Sequence, residues 1–424
     1  MNEGPPHDAA EKSRLVVGNL DCEVDFARQA AARRRQSDEE APPPDDPRFA
    51  LPGHVMRGIS AAATLLRVFA GSDEDVLWTP EPVDPARLAG VPELPAPRLA
   101  SGSLEEVPAA ARILAWGETR AVADLRRSRA GEPGRRAPAP PDGGVGDLLW
   151  AAPASSAPGA RQGNDRAFCL AAAEAAGEAL PGARLLRDVA DLEGHLEAGG
   201  AAEAPEERWV LKAPYSAAGR SRLLGRGRRL DEPALRRAER LFALHGDLLF
   251  EPWMERLEDF AWSFLVTEND ATLLGGHLQS VDGAGRFRGV TVVAAGVTAG
   301  TPPLDEALVE RRDRALGSVG DRLRATGYRG PCTVDAFRYR DRAGREDVQI
   351  LGEINARLSF GLVARAFVER LRGPCGIDEG TPVTLRLGKS EPSAGVRIIS
   401  LLDSAADDPT AAWLELATAR MPER

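Results

Sequence analysis

The chain has 424 residues, 43% of them hydrophobic and 28% charged, with a formal net charge of -10. That length supports two or three domains with sizeable cores, no run of about 18 apolar residues is present to span a membrane, and the acidic balance without a basic patch argues against nucleic acid as the main partner. The polar start MNEGPPHDAAEKSR lacks the apolar stretch of a signal peptide, and Cys22, Cys169, Cys332 and Cys375 follow neither metal nor disulfide spacing, so the default expectation is a cytoplasmic protein.

In chain order, residues 1–12 read as a disordered tail. SRLVVGNLDCEVDF then gives a buried strand, a glycine turn and a helix start, the opening of an α/β unit. QSDEEAPPPDDPR is acidic and Pro-rich and predicts a surface loop. VLWTP, RILAWGETRAVADLRR and DLLWAAP supply further strands and helices, so residues 13–150 are expected to form an N-terminal open α/β domain. Trp78, Trp116 and Trp150 fall there, as core residues or as the lining of a cleft.

From residue 151 the pattern changes. An Ala-rich helix with Asp165 near its cap is followed by a strand, a second helix and the strand WVLK, which ends at Lys212. Lysine is scarce: Lys12, Lys212 and Lys389 are the only three among 54 basic residues. A lysine kept at the end of an apolar strand, before the small-residue loop from Ser216 through Gly219 to Ser221, suits a phosphate-binding loop. A glycine-containing hairpin gives the same pattern. The strand GDLLF ends at Glu251, and FAWSFLV begins after Glu258 and Asp259; the segment between reads either as a hinge able to meet a purine edge or as a charged hairpin turn. Arg286 and Arg288 precede the strand GVTVV and are available to an anion.

Residues 333–361 read as two strands joined by a charged turn centred near Gly344. That register sets Asp335 opposite Glu353. Side-chain alternation puts Glu353, Asn355 and Arg357 on one side of the second strand and Ile350, Gly352 and Ile354 on the other. Facing carboxylates repel, and Asp, Glu and Asn oxygens suit a hard divalent cation that is also bound by phosphates. A solvated hairpin face is the alternative.

In this order and spacing, the elements over residues 160 to about 400 resemble the ATP-grasp superfamily. NDRAFC is similar to its first basic position, with Arg166 where lysine is usual, a change that keeps the charge but alters donor geometry. WVLKAPYSAAGRS resembles the second basic strand and its phosphate loop, with Lys212, Ser216 and Gly219. FEPWMERLED resembles the adenine hinge. There the resemblance implies that Glu251 and the backbone of Trp253 and Met254 meet adenine and that Glu258 meets the ribose. It further implies a metal site of Asp335, Glu353 and Asn355 for Mg²⁺, or Mn²⁺ in its place, and a catalytic role for Arg357 and Arg288 at the transferred phosphoryl group.

The fold implied is α/β (α+β), an ATP-grasp fold with an N-terminal pre-ATP-grasp domain, a small lid subdomain over 151–250 and a large subdomain over 251–424. The activity implied is an ATP-dependent ligase that joins a small-molecule carboxylate to an amine through an acyl phosphate. A carboxylate–thiol ligase, a phosphotransferase or a non-catalytic nucleotide-binding protein would use the same site. The substrates are not legible, and a homodimer is left open.

Overall fold

The computed structural model describes residues 14–35, 47–91, 93–107, 112–129, 143–199, 208–216, 221–283, 285, 287–294, 301–341, 343–388, 395–406 and 408–417. Gly219 and Arg286 lie outside them. Among the described residues no helix is long and apolar enough to cross a membrane.

The first sheet is built from four short strands, β1 (Arg14–Val17), β2 (Val76–Trp78), β3 (Arg98–Ala100) and β4 (Arg112–Ala115), parallel and in the order β3-β2-β1-β4. Helices α1 (Cys22–Arg35) and α2 (Gly53–Ala63) make the crossover from β1 to β2 that parallel pairing requires, and α3 (Arg120–Arg129) follows β4. The apolar runs LVV and VLW are buried, as expected of strands covered on both faces. Trp78, Trp116 and Trp150 are all buried in core clusters. Helices α4 (Val145–Ala151) and α5 (Ala157–Gly163) lead onward.

Next comes a small antiparallel sheet. Helix α6 (Arg166–Ala176) precedes β5 (Arg184–Leu186), α7 (Val189–Glu197), β6 (Arg208–Lys212), β7 (Arg222–Arg226), α8 (Glu232–His245) and β8 (Leu248–Pro252), and the strands order as β5-β8-β6-β7. Asp165, Asp188 and Asp231 cap the three helices by accepting from backbone N–H groups of the first turn, which satisfies donors that the helix leaves open. Leu186, Leu192, Leu196, Trp209, Leu211 and Phe250 close a separate core on this sheet. Trp209 lies over its cross-strand partner Gly225, and a Cβ at 225 would stand 2.0 Å from the indole. Gly225→Ala is therefore expected to destabilise the protein by about 1–3 kcal/mol through overpacking, read as a lower midpoint in urea unfolding.

The third sheet has eight antiparallel strands: β9 (Glu255–Val266), β10 (Ala271–Val281), β11 (Phe287–Val293), β12 (Gly330–Arg340), β13 (Glu346–Asn355), β14 (Pro382–Gly388), β15 (Arg397–Leu402) and β16 (Ala411–Leu416), in the order β13-β12-β9-β10-β11-β14-β16-β15. Helices α9 (Glu306–Ala325) and α10 (Phe360–Leu371) pack residues into its core.

The hairpin register is the one the sequence predicts, with Asp335 opposite Glu353, before a bulge that sets Phe337 against Gln349. The hinge differs from expectation. Strand β9 begins at Glu255, so Glu258 and Asp259 lie inside it and only Trp253 and Met254 remain between strands. The cause is β12, which runs far enough to pair the extra residues, with Arg338 opposite Glu258 and Arg340 opposite Glu255, an arrangement of opposite charges that favours the ladder.

Candidate active site

A cavity of about 1140 Å³ lies where the three sheets meet. Eleven of the thirteen residues given a site role by the resemblance line it: Arg166, Lys212, Ser216, Trp253, Met254, Glu258, Arg288, Asp335, Glu353, Asn355 and Arg357. Residues as far apart in the chain as Arg166 and Arg357 therefore share one space.

The acidic centre is on the β12–β13 hairpin. Asp335 accepts from Gln279 Nε2 at 2.7 Å and from Asn355 Nδ2 at 3.0 Å. Burial, and next the negative charge of Glu353, push its carboxyl up to about 7. Glu353 is different. Burial works against its charge, but the positive Arg166, Lys212 and Arg357 outweigh that and hold its carboxyl below the ordinary range. The opposite shifts keep Glu353 ionised and make Asp335 the easier of the two to protonate.

Arg166 sits in the first turn of α6, immediately after the Asp165 cap. Its Nη2 donates to both oxygens of Glu353 at 3.1 Å, and its Nη1 donates to the carbonyl of Ala213 at 2.6 Å. It thereby ties the hairpin to the segment that follows β6. Tyr215 in that segment donates to Asp165 at 2.7 Å. Lys212 forms an ion pair with Glu251, both side chains being 13% exposed. Glu251 does not line the large cavity; it stands behind Lys212.

At the hinge, the guanidinium groups of Arg208 and Arg222 lie 5.9 and 5.7 Å from the centre of the Trp253 ring. Arg288 pairs with Asp282 at 3.0 Å near the β10–β11 turn. Arg357 is held by three contacts: Nη2 to Asn355 Oδ1 at 2.9 Å, Nη1 to the Leu358 carbonyl at 3.0 Å and Nε to Glu23 at 2.6 Å. Its guanidinium also lies 5.4 Å from the Trp116 ring centre.

The sequence reading missed Gln279 and Glu23 as members of this site. Gln279 lies on β10, a strand whose ATLLGGHLQSV pattern is interrupted where the register shifts between Leu273 and Gly275. Glu23 opens α1, where an acid ordinarily serves the helix end alone. Trp116, read from the sequence as core or as the lining of a cleft, is both: its ring is buried and it borders the cavity.

His277, another unanticipated cavity residue on β10, is almost fully buried, and burial followed by the positive Arg365 pushes it down to about 3. Its folded value is below the unfolded value of about 6.5, so the unfolded state binds more protons between these limits. The stability this neutral ring supplies is complete above about pH 6.5 and is lost as pH falls toward 3. His277→Asn is expected to lose a few kcal/mol less than the parent between pH 7 and 4, measured by urea unfolding at each pH.

Cations from the small sheet and from α6 thus gather with a half-buried carboxylate pair on the wall of a cavity large enough for a nucleotide. Such a space can hold a polyphosphate together with a divalent cation. The architecture is the ATP-grasp fold, an α/β (α+β) arrangement with an N-terminal α/β unit. More particularly, the chain is similar to solved N5-carboxyaminoimidazole ribonucleotide synthetases. The one from Thermus thermophilus is 14% identical with a TM-score of 0.51, covering 96% of this chain and 94% of that one. One solved as an ADP complex is 11% identical with a TM-score of 0.52, covering 96% and 93%. The synthetase from Staphylococcus aureus is 10% identical with a TM-score of 0.50, covering 96% and 94%. No family model matches the chain, and no curated protein matches it in sequence.

Proposed function

We propose that this chain is an ATP-dependent ligase that activates a small carboxylate as an acyl phosphate and joins it to an amine, releasing ADP and phosphate. The observation that carries the reading is the Asp335–Glu353 pair, set on a cavity wall with Arg166, Lys212 and Arg357 around it. A similar fold solved with ADP supports a nucleotide in this space.

Transfer of a γ-phosphoryl group is catalysed mainly by positioning and by charges that meet the developing negative charge. In this reading Arg166 and Lys212 bind the α- and β-phosphates, with Ser216 and Gly219 in the phosphate loop. Trp253 and Met254 meet the adenine, with Glu251 close behind Lys212, and Glu258 meets the ribose. Arg357 holds the transferred group, with Arg288 beside it. The carboxylate substrate attacks the γ-phosphorus, the bond to ADP breaks, and the amine then attacks the acyl carbon and displaces phosphate.

A divalent cation fits the residues present. Asp335 and Glu353 stand opposite each other on the cavity wall beside Asn355, an oxygen donor set of the kind a hard divalent ion takes. Among the described residues no three His, Cys, Asp or Glu side chains converge as a self-sufficient metal cluster, but Mg²⁺ is commonly held by one or two carboxylates with substrate phosphates. Asp335, Glu353 and Asn355 would hold Mg²⁺, or Mn²⁺, and the ion would supply charge neutralisation at the phosphates. All four cysteines are buried and free, which supports a reducing, cytoplasmic setting.

Hydroxylamine trapping tests the reaction class. With ATP, Mg²⁺ and the correct carboxylate, a carboxylate-activating ligase yields a hydroxamate together with ADP. A phosphotransferase that modifies a hydroxyl, or a passive binder, yields none, and that result would remove the proposal.

A further inference from the structure

Away from the hairpin the cavity changes character. Helix α2 presents Val55, Ile59 and Ala62 to it, spaced i, i+4 and i+7 on one face. All three are half-buried, so the stripe is neither packed away nor open to bulk water. Three aromatic rings border the same space. Phe287 stacks on Phe360, with centroids 5.5 Å apart and planes 19° apart, and Trp116 lies 5.0 Å from Phe360 at 53°. Leu20 and Leu387 add to the apolar wall. None of the lining residues contributed by α2, α10 or β14 is acidic.

Two guanidinium groups line this part of the cavity, each held in place by a carboxylate. Arg386 of β14 lies across β11, its Nε 3.0 Å from Glu415 and its Nη1 donating to Ser280 Oγ at 3.2 Å. Gly289 makes that possible. It sits in register between Ser280 and Arg386, and a Cβ there would stand 3.3 Å from the Arg386 Cδ and 2.5 Å from the Leu385 carbonyl oxygen. Arg357, at the other side of the Trp116 ring contact, is anchored by Glu23.

We infer that this end of the cavity takes a carboxylic acid with a compact apolar body, a branched aliphatic chain or a single ring. The carboxylate is met by the guanidinium groups of Arg357 and Arg386, and the body rests on the α2 stripe and the three rings. A sugar phosphate or a polyol would place hydroxyls against the α2 stripe and the three rings, which offer them no hydrogen-bond partner, at a desolvation cost. The inference rests on the ligase reading for what then happens to the carboxylate, but binding can be read without turnover.

The test uses the full chain loaded with Mg²⁺ and a non-hydrolysable ATP analogue. Calorimetric titration with 3-methylbutanoate and 3-phenylpropanoate is compared with ribose 5-phosphate and citrate. The apolar acids are expected to bind in preference, and Ile59→Asn to weaken them about 10- to 100-fold with unchanged affinity for the analogue. Val55→Ser provides a second variant if Ile59→Asn melts early. Apolar acids that bind no better than ribose 5-phosphate or citrate, or variants that bind them like the parent, would overturn the inference. Turnover separates the two claims. Apolar acids that bind without yielding ADP or hydroxamate leave the inference standing and sink the ligase reading, whereas ADP release with polar acids alone does the reverse.

Discussion

Glu353→Gln is expected to lower ATP turnover about a thousandfold while the protein stays folded. Glutamine matches the shape of Glu353 and still offers an oxygen to Arg166, which donates to both Glu353 oxygens in the parent. What it removes is the charge. Glu353 is the member of the acidic pair held ionised, by Arg166, Lys212 and Arg357 together, and it would be the principal anionic ligand for Mg²⁺ on the phosphates. Coupled measurement of ADP formation, with a thermal melt alongside, checks this. Turnover at the parent rate would remove Glu353 from the metal site.

Lys212→Ala should have the second largest effect, and it acts on two properties at once. Lys212 and Glu251 form an ion pair in which each is 13% exposed, so removing the lysine leaves a mostly buried carboxylate alone, at a cost of about 3 kcal/mol in stability. Nucleotide affinity should also fall about 100-fold, because a desolvated charge contact to phosphate is lost. The double variant Lys212→Ala with Glu251→Gln separates the two. It is expected to regain the stability and not the affinity, read by melting and by titration with an ATP analogue. Parent-like affinity in the double variant would take Lys212 out of the phosphate site.

Much of the hairpin was legible because strand alternation and one turn glycine fix which side chains face each other. Asp335 opposite Glu353 followed from Gly344 alone. Lys212 was legible for a different reason, the near absence of lysine elsewhere. The helix start at Asp165 followed from local capping chemistry. Contacts that depend on tertiary meeting were not legible. Glu23 reaches Arg357 only because α1 follows β1, whose neighbour β4 runs into the loop after β13, where the Leu358 N–H donates to the Trp116 carbonyl at 2.8 Å. Gln279 belongs to a strand whose glycine pair and register shift hide its alternation. Glu258 was expected in a loop because its neighbours are charged, yet cross-strand pairing with Arg338 recruits it into β9. The apolar stripe of α2 was not singled out from the sequence, and only the fold turns it toward a cavity.

The same geometry accounts for why one chain needs all three sheets at the site. The small sheet supplies Lys212, the hairpin of the large sheet supplies the acids, and the N-terminal unit supplies Glu23 and Trp116 against Arg357. Arg166 links the first two directly.

Oxygen transfer from the carboxylate tests the central claim most directly. A carboxylic acid labelled with ¹⁸O in both oxygens is turned over with ATP, Mg²⁺ and an amine, and the products are separated and weighed by mass spectrometry. Attack on the γ-phosphorus makes a carboxylate oxygen the bridge of the acyl phosphate, so ADP should appear with phosphate carrying one ¹⁸O per amide formed. Label in AMP with release of pyrophosphate, or phosphate free of label, would contradict the account.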